Sequence, residues 1–336
     1  FSIVSRGAMY IFENNDGSFN KIQKLVASDG SPYSEFGYSV AIDGSYIVIG
    51  APGDSHLDNH PADFEGTAYI FNNIDGSWNQ LQKLSESNND DPNLYNYFGI
   101  SVAIEGSYIV IGAAGVEAAY IFEKDIDGSF NQIQKLPSDD SGDTPSFGYS
   151  VAIDGSYIVI GSFSIVSRGA MYIFENNDGS WNQYQKLLPS HDSSGDGFGK
   201  SVAIQDNIIV VGAPYTDDKG INSGSIYIFE NIDGSWNQVE KLVASDGAAY
   251  DFFGMSVAIY DSYIFAGATE TSGGTVYIFN NNDSSWNQHQ KIVGNQGSEK
   301  FGYSIAINNS TIVAGAPYNN NNGYIANGTV YILTPT

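Results

Sequence analysis

The sequence predicts an all-β fold, a β-propeller of four-stranded antiparallel blades. Three observations carry this. A Phe-Gly pair recurs at Phe36-Gly37, Phe98-Gly99, Phe147-Gly148, Phe198-Gly199, Phe253-Gly254 and Phe301-Gly302, with spacings of 62, 49, 51, 55 and 48 residues; periods near fifty belong to propellers or solenoids. Each pair opens a unit with four short strand signals. Aspartate-glycine turns punctuate the units where two strands must reverse.

In the unit at Phe36 the signals are YSVAI (38–42), YIVIG (46–50), TAYIF (67–71) and SWNQLQKL (77–84). Runs of Val, Ile, Tyr and Phe bounded by turn residues read as strands. Asp43-Gly44 joins the first two and Asp75-Gly76 the last two, and Asp-Gly is the two-residue hairpin dipeptide. The second strand is almost wholly apolar and suits the middle of a blade. The fourth carries Asn79, Gln80, Gln82 and Lys83 and suits an outer edge, where polar side chains discourage stray pairing. No segment with a 3.6-residue period competes.

Bulk composition narrows the function. Thirteen Lys and Arg stand against 38 Asp and Glu, a formal charge of −25, which argues against nucleic acid or an anionic membrane surface as partner. Aromatic residues make up 14% of the chain, far from the composition of disordered acidic chains. With no cysteine, disulfides and thiolate metal sites are excluded. No run of 18 apolar residues offers a membrane-spanning helix. Phe1 is neither an initiator Met nor the start of a leader pattern, so the chain reads as processed or incomplete.

Strand counting gives one domain, 1–336, with a partial blade over 1–35 and blades starting near 36, 98, 147, 198, 253 and 301. The partial blade holds a third strand (Ala8–Phe12) and a fourth (Phe19–Leu25), and the last unit supplies only three strands. The expectation is seven blades in the complete protein, with strands upstream of Phe1; the alternative is six blades closed by the N-terminal strand. The opening FSIVSRGAMYIFENNDGS returns unchanged at 163–180, where it follows IVIGS. This identity includes loop residues and points to recent duplication or to an error in how the sequence was assembled.

The stretches FGYSVAI…IVIGAP…GTAYIF (36–71), FGKSVAI…IVVGAP…GSIYIF (198–229) and FGYSIAI…IVAGAP…GTVYIL (301–333) resemble the FG-GAP repeat family, which builds the heads of integrin α-subunits and occurs in many secreted or surface microbial proteins. Three units depart from Gly-Ala-Pro, with Gly112-Ala113-Ala114, Gly161-Ser162 and Gly267-Ala268-Thr269. The resemblance implies an extracellular or cell-surface, non-enzymatic module for adhesion, recognition or surface structure. Its partners would be a protein or glycan ligand. One alternative is a building block of a filament or surface layer, joined to copies of itself through open strands; another is a carbohydrate-binding or carbohydrate-active propeller. Many integrin-type blades hold calcium between the first and second strands. Here that connection is a tight turn: Asp43-Gly44, Glu105-Gly106, Asp154-Gly155, Asp206-Asn207, Asp261-Ser262 or Asn308-Asn309. Such a turn offers at most one carboxylate where calcium takes six to eight oxygens, so this form is closer to the microbial branch.

Other residues are weighed on their own chemistry. Asp54, Asp58, Asp63, Asp217 and Asp218, with the acidic loops before each Phe-Gly, are candidates for calcium held between loops or for solvated turn residues. Phe19, Trp78, Phe130, Trp181, Trp236 and Trp286 start the fourth strands, as inter-blade packing or as sugar-stacking platforms. His56 and His60 share a long loop with three of those aspartates; with His191 and His289 they form no recognisable catalytic motif, and no enzyme is predicted. Asn282, Asn308, Asn309 and Asn327 head N-x-Ser/Thr sequons. Phe-Gly itself reads as structural: the Phe packs between blades and the Gly admits a close backbone approach.

Overall fold

The computed structural model describes residues 7–31, 33–54, 65–86, 95–138, 146–190, 194–282, 285–295, 299–308, 311–318 and 328–333. Strands β1 (Met9–Asn15) and β2 (Ser18–Leu25) form a two-stranded sheet. Five four-stranded meanders follow. The first is β3 (Ser39–Asp43), β4 (Tyr46–Ala51), β5 (Thr67–Ile74) and β6 (Ser77–Leu84); the second is β7 (Phe98–Glu105), β8 (Tyr108–Ala113), β9 (Ala118–Lys124) and β10 (Phe130–Pro137). The third is β11 (Phe147–Asp154), β12 (Tyr157–Ser162), β13 (Ala170–Asn177) and β14 (Ser180–Leu187). The fourth is β15 (Ser201–Gln205), β16 (Ile208–Ala213), β17 (Ser225–Ile232) and β18 (Ser235–Leu242); the fifth is β19 (Phe253–Tyr260), β20 (Tyr263–Ala268), β21 (Thr275–Asn282) and β22 (Ser285–Val293). A three-stranded sheet of β23 (Ser304–Asn308), β24 (Thr311–Ala316) and β25 (Thr329–Leu333) comes last. Six sheets are thus opened by a Phe-Gly pair, which matches the six-blade alternative. The chain divides into two compact units, Phe1–Ser141 with Ser146–Ile153, and Gly142–Pro145 with Asp154–Thr336.

The sequence pattern explains each blade. The apolar second strands are buried along nearly their whole length, as expected for strands covered on both faces. In the turn between β5 and β6, Asp75 has φ 52° and Gly76 φ 84°, the left-handed pair that a type I′ hairpin needs. Asn73 Oδ1 accepts the Gly76 N–H at 2.9 Å, and the same Asn-to-Gly bond recurs in the corresponding turns at Asn14, Asn176 and Asn231.

Within each unit, neighbouring blades share a core. Val48, Ala68, Ile70 and Leu84 of one face meet Phe98, Val102, Ile104 and Tyr120 of the next blade; in the second unit Phe265, Val276 and Ile278 meet Phe301, Ile312 and Ala314. Each interface is keyed by glycines. A Cβ on Gly50, at the end of a second strand, would lie 2.0 Å from the Gly99 carbonyl oxygen of the following blade; a Cβ on Gly99, where φ is +90°, would lie 2.4 Å from the Thr67 oxygen. The arriving carbonyl also accepts a serine hydroxyl, with Ser39 Oγ to Gly99 O at 2.8 Å, Ser101 to Gly148 at 2.9 Å, Ser201 to Gly254 at 3.0 Å and Ser256 to Gly302 at 2.7 Å.

The outer strands are tied by side-chain amides. Gln23 Nε2 donates to Trp78 O at 2.7 Å and its Oε1 accepts the Trp78 N–H at 3.0 Å. Gln82 does the same for Phe130, and Gln185 for Trp236. One copy differs: Glu240 accepts the Trp286 N–H at 3.1 Å but, when ionised, has no donor for the carbonyl. Glu240→Gln is therefore expected to stabilise the second unit by about 0.5–1.5 kcal/mol, one added hydrogen bond, read as a higher urea midpoint at unchanged slope. Of the aromatics at these positions, Trp78, Phe130, Trp181, Trp236 and Trp286 are buried, and Phe19 is half-buried. The surface of those five belongs to packing.

Candidate functional site

At the end of the blade opposite the Asp-Gly hairpins, the antiparallel register sets a third-strand Tyr directly across from a fourth-strand Lys: Tyr69 and Lys83, Tyr120 and Lys135, Tyr172 and Lys186, Tyr227 and Lys241, Tyr277 and Lys291. Cross-strand partners this close interact strongly. Each of these Lys ammoniums lies over the facing ring where a cation–π contact is resolved, at 5.4 Å for Lys83, 5.2 Å for Lys135, 5.3 Å for Lys186 and 5.3 Å for Lys241. The Phe of Phe-Gly packs against the same Tyr, as in Phe36–Tyr69 at 5.4 Å and Phe198–Tyr227 at 5.3 Å between ring centroids.

Loop carboxylates complete the set. In the first full blade, Asp54 is 1% exposed. Its Oδ1 accepts Ser31 N–H at 3.0 Å and Ser31 Oγ at 2.5 Å; its Oδ2 accepts Thr67 Oγ1 at 2.8 Å and Tyr69 OH at 2.9 Å. Lys83 Nζ lies 3.1 Å from both Asp54 and Asp29. In the second blade Tyr120 OH donates to Glu86, which pairs with Lys135 at 2.9 Å and accepts Asn96 Nδ2 at 2.9 Å. Asp218 pairs with Lys241 at 2.7 Å. Asp246 accepts Tyr277 OH at 3.0 Å and pairs with Lys291. In the last sheet Glu299 accepts Tyr331 OH at 2.7 Å. Asp29, Glu86, Asp246 and Glu299 all come from the acidic loops that precede Phe-Gly. These acids reach forward into the blade that their loop introduces.

The electrostatics follow from that geometry. Burial pushes the Tyr69 phenol well above its ordinary range, and the adjacent Asp54 charge adds to this. Lys83 is held above the usual ammonium range: burial opposes its charge, but Asp29 and Asp54 prevail. Burial alone would raise Asp54, yet the Ser31 and Thr67 hydrogen bonds and the Lys83 charge bring it below the ordinary carboxylate value. Tyr69 stays protonated and Lys83 charged at neutral pH, so neither is a base or nucleophile there. The set is a staple that fixes the roots of the loops. A carboxylate with a depressed folded-state pKa contributes stability that is complete above the unfolded-chain value and is lost as pH falls through the folded one. With Asp54 and Asp246 both depressed, melting temperature should fall on acidification below about pH 4. A melt series from pH 7 to 2.5 checks it, and Asp54→Asn should flatten the first unit's share.

The hairpin carboxylates at the other end are also engaged. Asp43 Oδ2 accepts the Gly106 N–H of the next blade's turn at 2.7 Å, and Asp154 Oδ2 accepts Asp206 N–H at 2.6 Å. Gln205 Oε1 does this for Asp261 at 2.9 Å. Each links one turn to the next. Among the described residues no group of three His, Asp or Glu is placed to hold a metal ion. Of the candidate aspartates, Asp54 sits in the staple, Asp218 pairs with Lys241, and Asp217 Oδ1 accepts the Asn222 N–H at 2.8 Å. Asp58, Asp63, His56, His60 and His191 lie outside the described residues, as do Asn309 and Asn327. Asn282 and Asn308 are exposed as the last residues of β21 and β23. His289 is described, with its ring 6.1 Å from Tyr263.

In the second unit a cavity of about 360 Å³ opens among the loops at the staple end, walled by Asp196, Asp217 and Asp218 with Tyr215, Ile221 and Asn222. Sequence reasoning missed both the staple and this cavity. The staple had a signal: Tyr of YIF precedes Lys of QK by fourteen or fifteen residues in five units.

Four-stranded meanders of this kind, keyed by glycines and stacked on one another, define a β-propeller protein. The FG-GAP repeat model matches residues 19–71, 78–122, 130–174, 181–229, 236–279 and 286–333, and the chain belongs to the FG-GAP repeat family. Each matched repeat runs from a fourth strand to the third strand of the following sheet, so the matches begin in β2 and leave β1 outside. An alignment of 82 positions that covers 21% of this chain and 7% of human integrin alpha-6 is 38% identical. Among solved structures, a putative 6-phosphogluconolactonase from Bacteroides fragilis superposes with a TM-score of 0.62 over 91% of this chain and 82% of that one, at 12% identity. That likeness is one of fold.

Proposed function

We propose that this chain is a non-enzymatic recognition module of the cell surface or extracellular space, which binds a protein ligand through the loops at the staple end of its blades. The acid-walled cavity carries the reading. Asp196, Asp217 and Asp218 surround a space of about 360 Å³ beside an aromatic ring and an aliphatic side chain, a setting that fits an arginine or lysine side chain with its alkyl stem. The net charge of −25 speeds encounter with a basic partner. The staple supports the same reading, because it fixes the loop roots while the loops between them differ from blade to blade. In the extracellular setting, Asn282 and Asn308 are exposed positions for glycans.

The test is calorimetric titration of the chain with an arginine-rich peptide, alongside a neutral oligosaccharide panel. The proposal expects saturable peptide binding that weakens as salt rises and falls roughly tenfold or more in Asp217→Asn. Peptide binding untouched by that substitution would remove the cavity from the reading. Binding of oligosaccharides alone would replace it with the carbohydrate reading.

A further inference from the structure

An exposed tyrosine beside the cavity sits in a backbone conformation that its own side chain disfavours. The residue just before Phe-Gly is left-handed in all six units, at Glu35, Tyr97, Ser146, Gly197, Phe252 and Lys300, with φ between 51° and 79°. This holds whatever the residue type, so that bend belongs to the fold. Two residues earlier the case differs. Tyr33 (φ 66°), Gly195 (φ 89°) and Tyr250 (φ 68°) are left-handed there, while Tyr95 at the same place lies outside that region. Glycine adopts the conformation at no steric cost, whereas a tyrosine is strained in it. Burial does not compensate, because Tyr33 is 53% and Tyr250 54% exposed. A ring that the backbone disfavours and the core does not use calls for a use outside the chain.

The surroundings of Tyr250 show what that use is. Its N–H donates to Ile221 O at 2.7 Å, Phe252 N–H to Asn222 O at 3.1 Å and Phe253 N–H to Ser223 O at 3.0 Å. Asp251 Oδ2 accepts the Ala248 N–H at 2.7 Å, and a Cβ on Gly220 would lie 3.1 Å from Ala249. The Phe252 ring stands edge-on to Tyr215 at 5.4 Å. Segment 248–253 is thus laced to 220–223, and Ile221, Asn222 and Tyr215 are walls of the cavity. Ile221 is 56% exposed, and the exposed Asp217 holds the Asn222 N–H. An aromatic, an aliphatic and a carboxylate therefore stand exposed together on a fixed main chain. Such a surface binds without first having to be ordered, and tyrosine gives large contact area for little lost rotamer freedom.

We propose that Tyr250 and Ile221 form a ledge beside the acid-walled cavity, and that this ledge takes a large apolar side chain of the same protein ligand, adjoining the basic one that the cavity receives. This rests on the reading of the cavity as the seat of an arginine or lysine. The occupant is a peptide segment in which a basic and an apolar residue are neighbours: the carboxylates of Asp196, Asp217 and Asp218 attract the first, and the two exposed apolar side chains cover the second. The ledge sets specificity, because the cavity alone accepts any basic side chain of suitable length.

The test is calorimetric titration of the chain with two end-blocked peptides, Ala-Arg-Leu-Ala and Ala-Arg-Ser-Ala, at one salt concentration. The chain should bind the leucine peptide roughly tenfold more tightly. Tyr250→Asn removes the ring but keeps a residue that visits the left-handed region readily. It should bring the ratio of affinities close to one and leave the urea midpoint equal or higher. Tyr250→Phe should keep the ratio, and Asp217→Asn should weaken both peptides alike. A ratio near one in the unchanged chain, or one that survives Tyr250→Asn, would overturn the ledge and leave the cavity reading standing. So would a urea midpoint that falls in Tyr250→Asn, because the ring would then serve the fold. Failure of both peptides to bind, or binding of both untouched by Asp217→Asn, would overturn the cavity reading and the ledge with it.

Discussion

Asp54→Ala is expected to cost the first unit roughly 2–4 kcal/mol of stability. Removing one partner of a buried ion pair costs about 3–5 kcal/mol, and here Asp29 remains as a partly exposed second partner for Lys83, which lowers the figure. The loss is not only electrostatic. Ser31, Thr67 and Tyr69 each donate to Asp54, and all three would be left buried with an acceptor gone. Asp54→Asn keeps acceptor capacity and should cost about half as much. Asp29→Ala, at a carboxylate more than half exposed, should stay within about 1 kcal/mol. Urea denaturation of the three variants ranks them. If Asp29→Ala proved as damaging as Asp54→Ala, the exposed carboxylate rather than the buried one would hold the staple.

Gly99→Ala is the second large effect, at roughly 3 kcal/mol or more. Two costs coincide there. The φ of +90° is strained for any residue with a Cβ, and that Cβ would sit 2.4 Å from the Thr67 carbonyl and 3.2 Å from Ala51 N and Gly50 Cα. These are backbone atoms of the preceding blade and cannot rotate away. Left-handed strain alone costs about 1–2 kcal/mol, and overpacking adds about 1–3 kcal/mol. Gly76→Ala separates the two. Its φ is +84° but nothing lies within 4 Å, so it should show the strain alone. Equal losses at Gly76 and Gly99 would mean that the blades are not keyed by close approach.

Local signals make the blades legible in the sequence. Hairpin dipeptides, apolar second strands and the Phe-Gly period each act over a few residues and point the same way. The staple was harder to read, because it joins residues from three separate segments. Asp29, Asp54 and Lys83 become neighbours only when register and loop direction are fixed. The acidic loops were legible as acidic, but not as inward-facing: a carboxylate that serves Tyr and Lys has the same letter as one that serves water or calcium. Glu240 shows the reverse case. Its place in SWNQVEKL marks it at once as the odd member of a Gln series, and the structure adds only which bond is lost.

The Gln bridges between outer strands have a mechanical consequence. Each bridge is a pair of hydrogen bonds at the rim of an interface whose inner side is held by glycine contacts and serine hydroxyls. A pull that peels one blade from its neighbour loads the rim first and the inner key last, so a joint resists until its rim fails and then opens as a whole. Within each unit, tension along the chain would be released in steps of one blade, each about fifty residues of slack, and the joint served by Glu240, with one rim bond instead of two, would be the one to yield early.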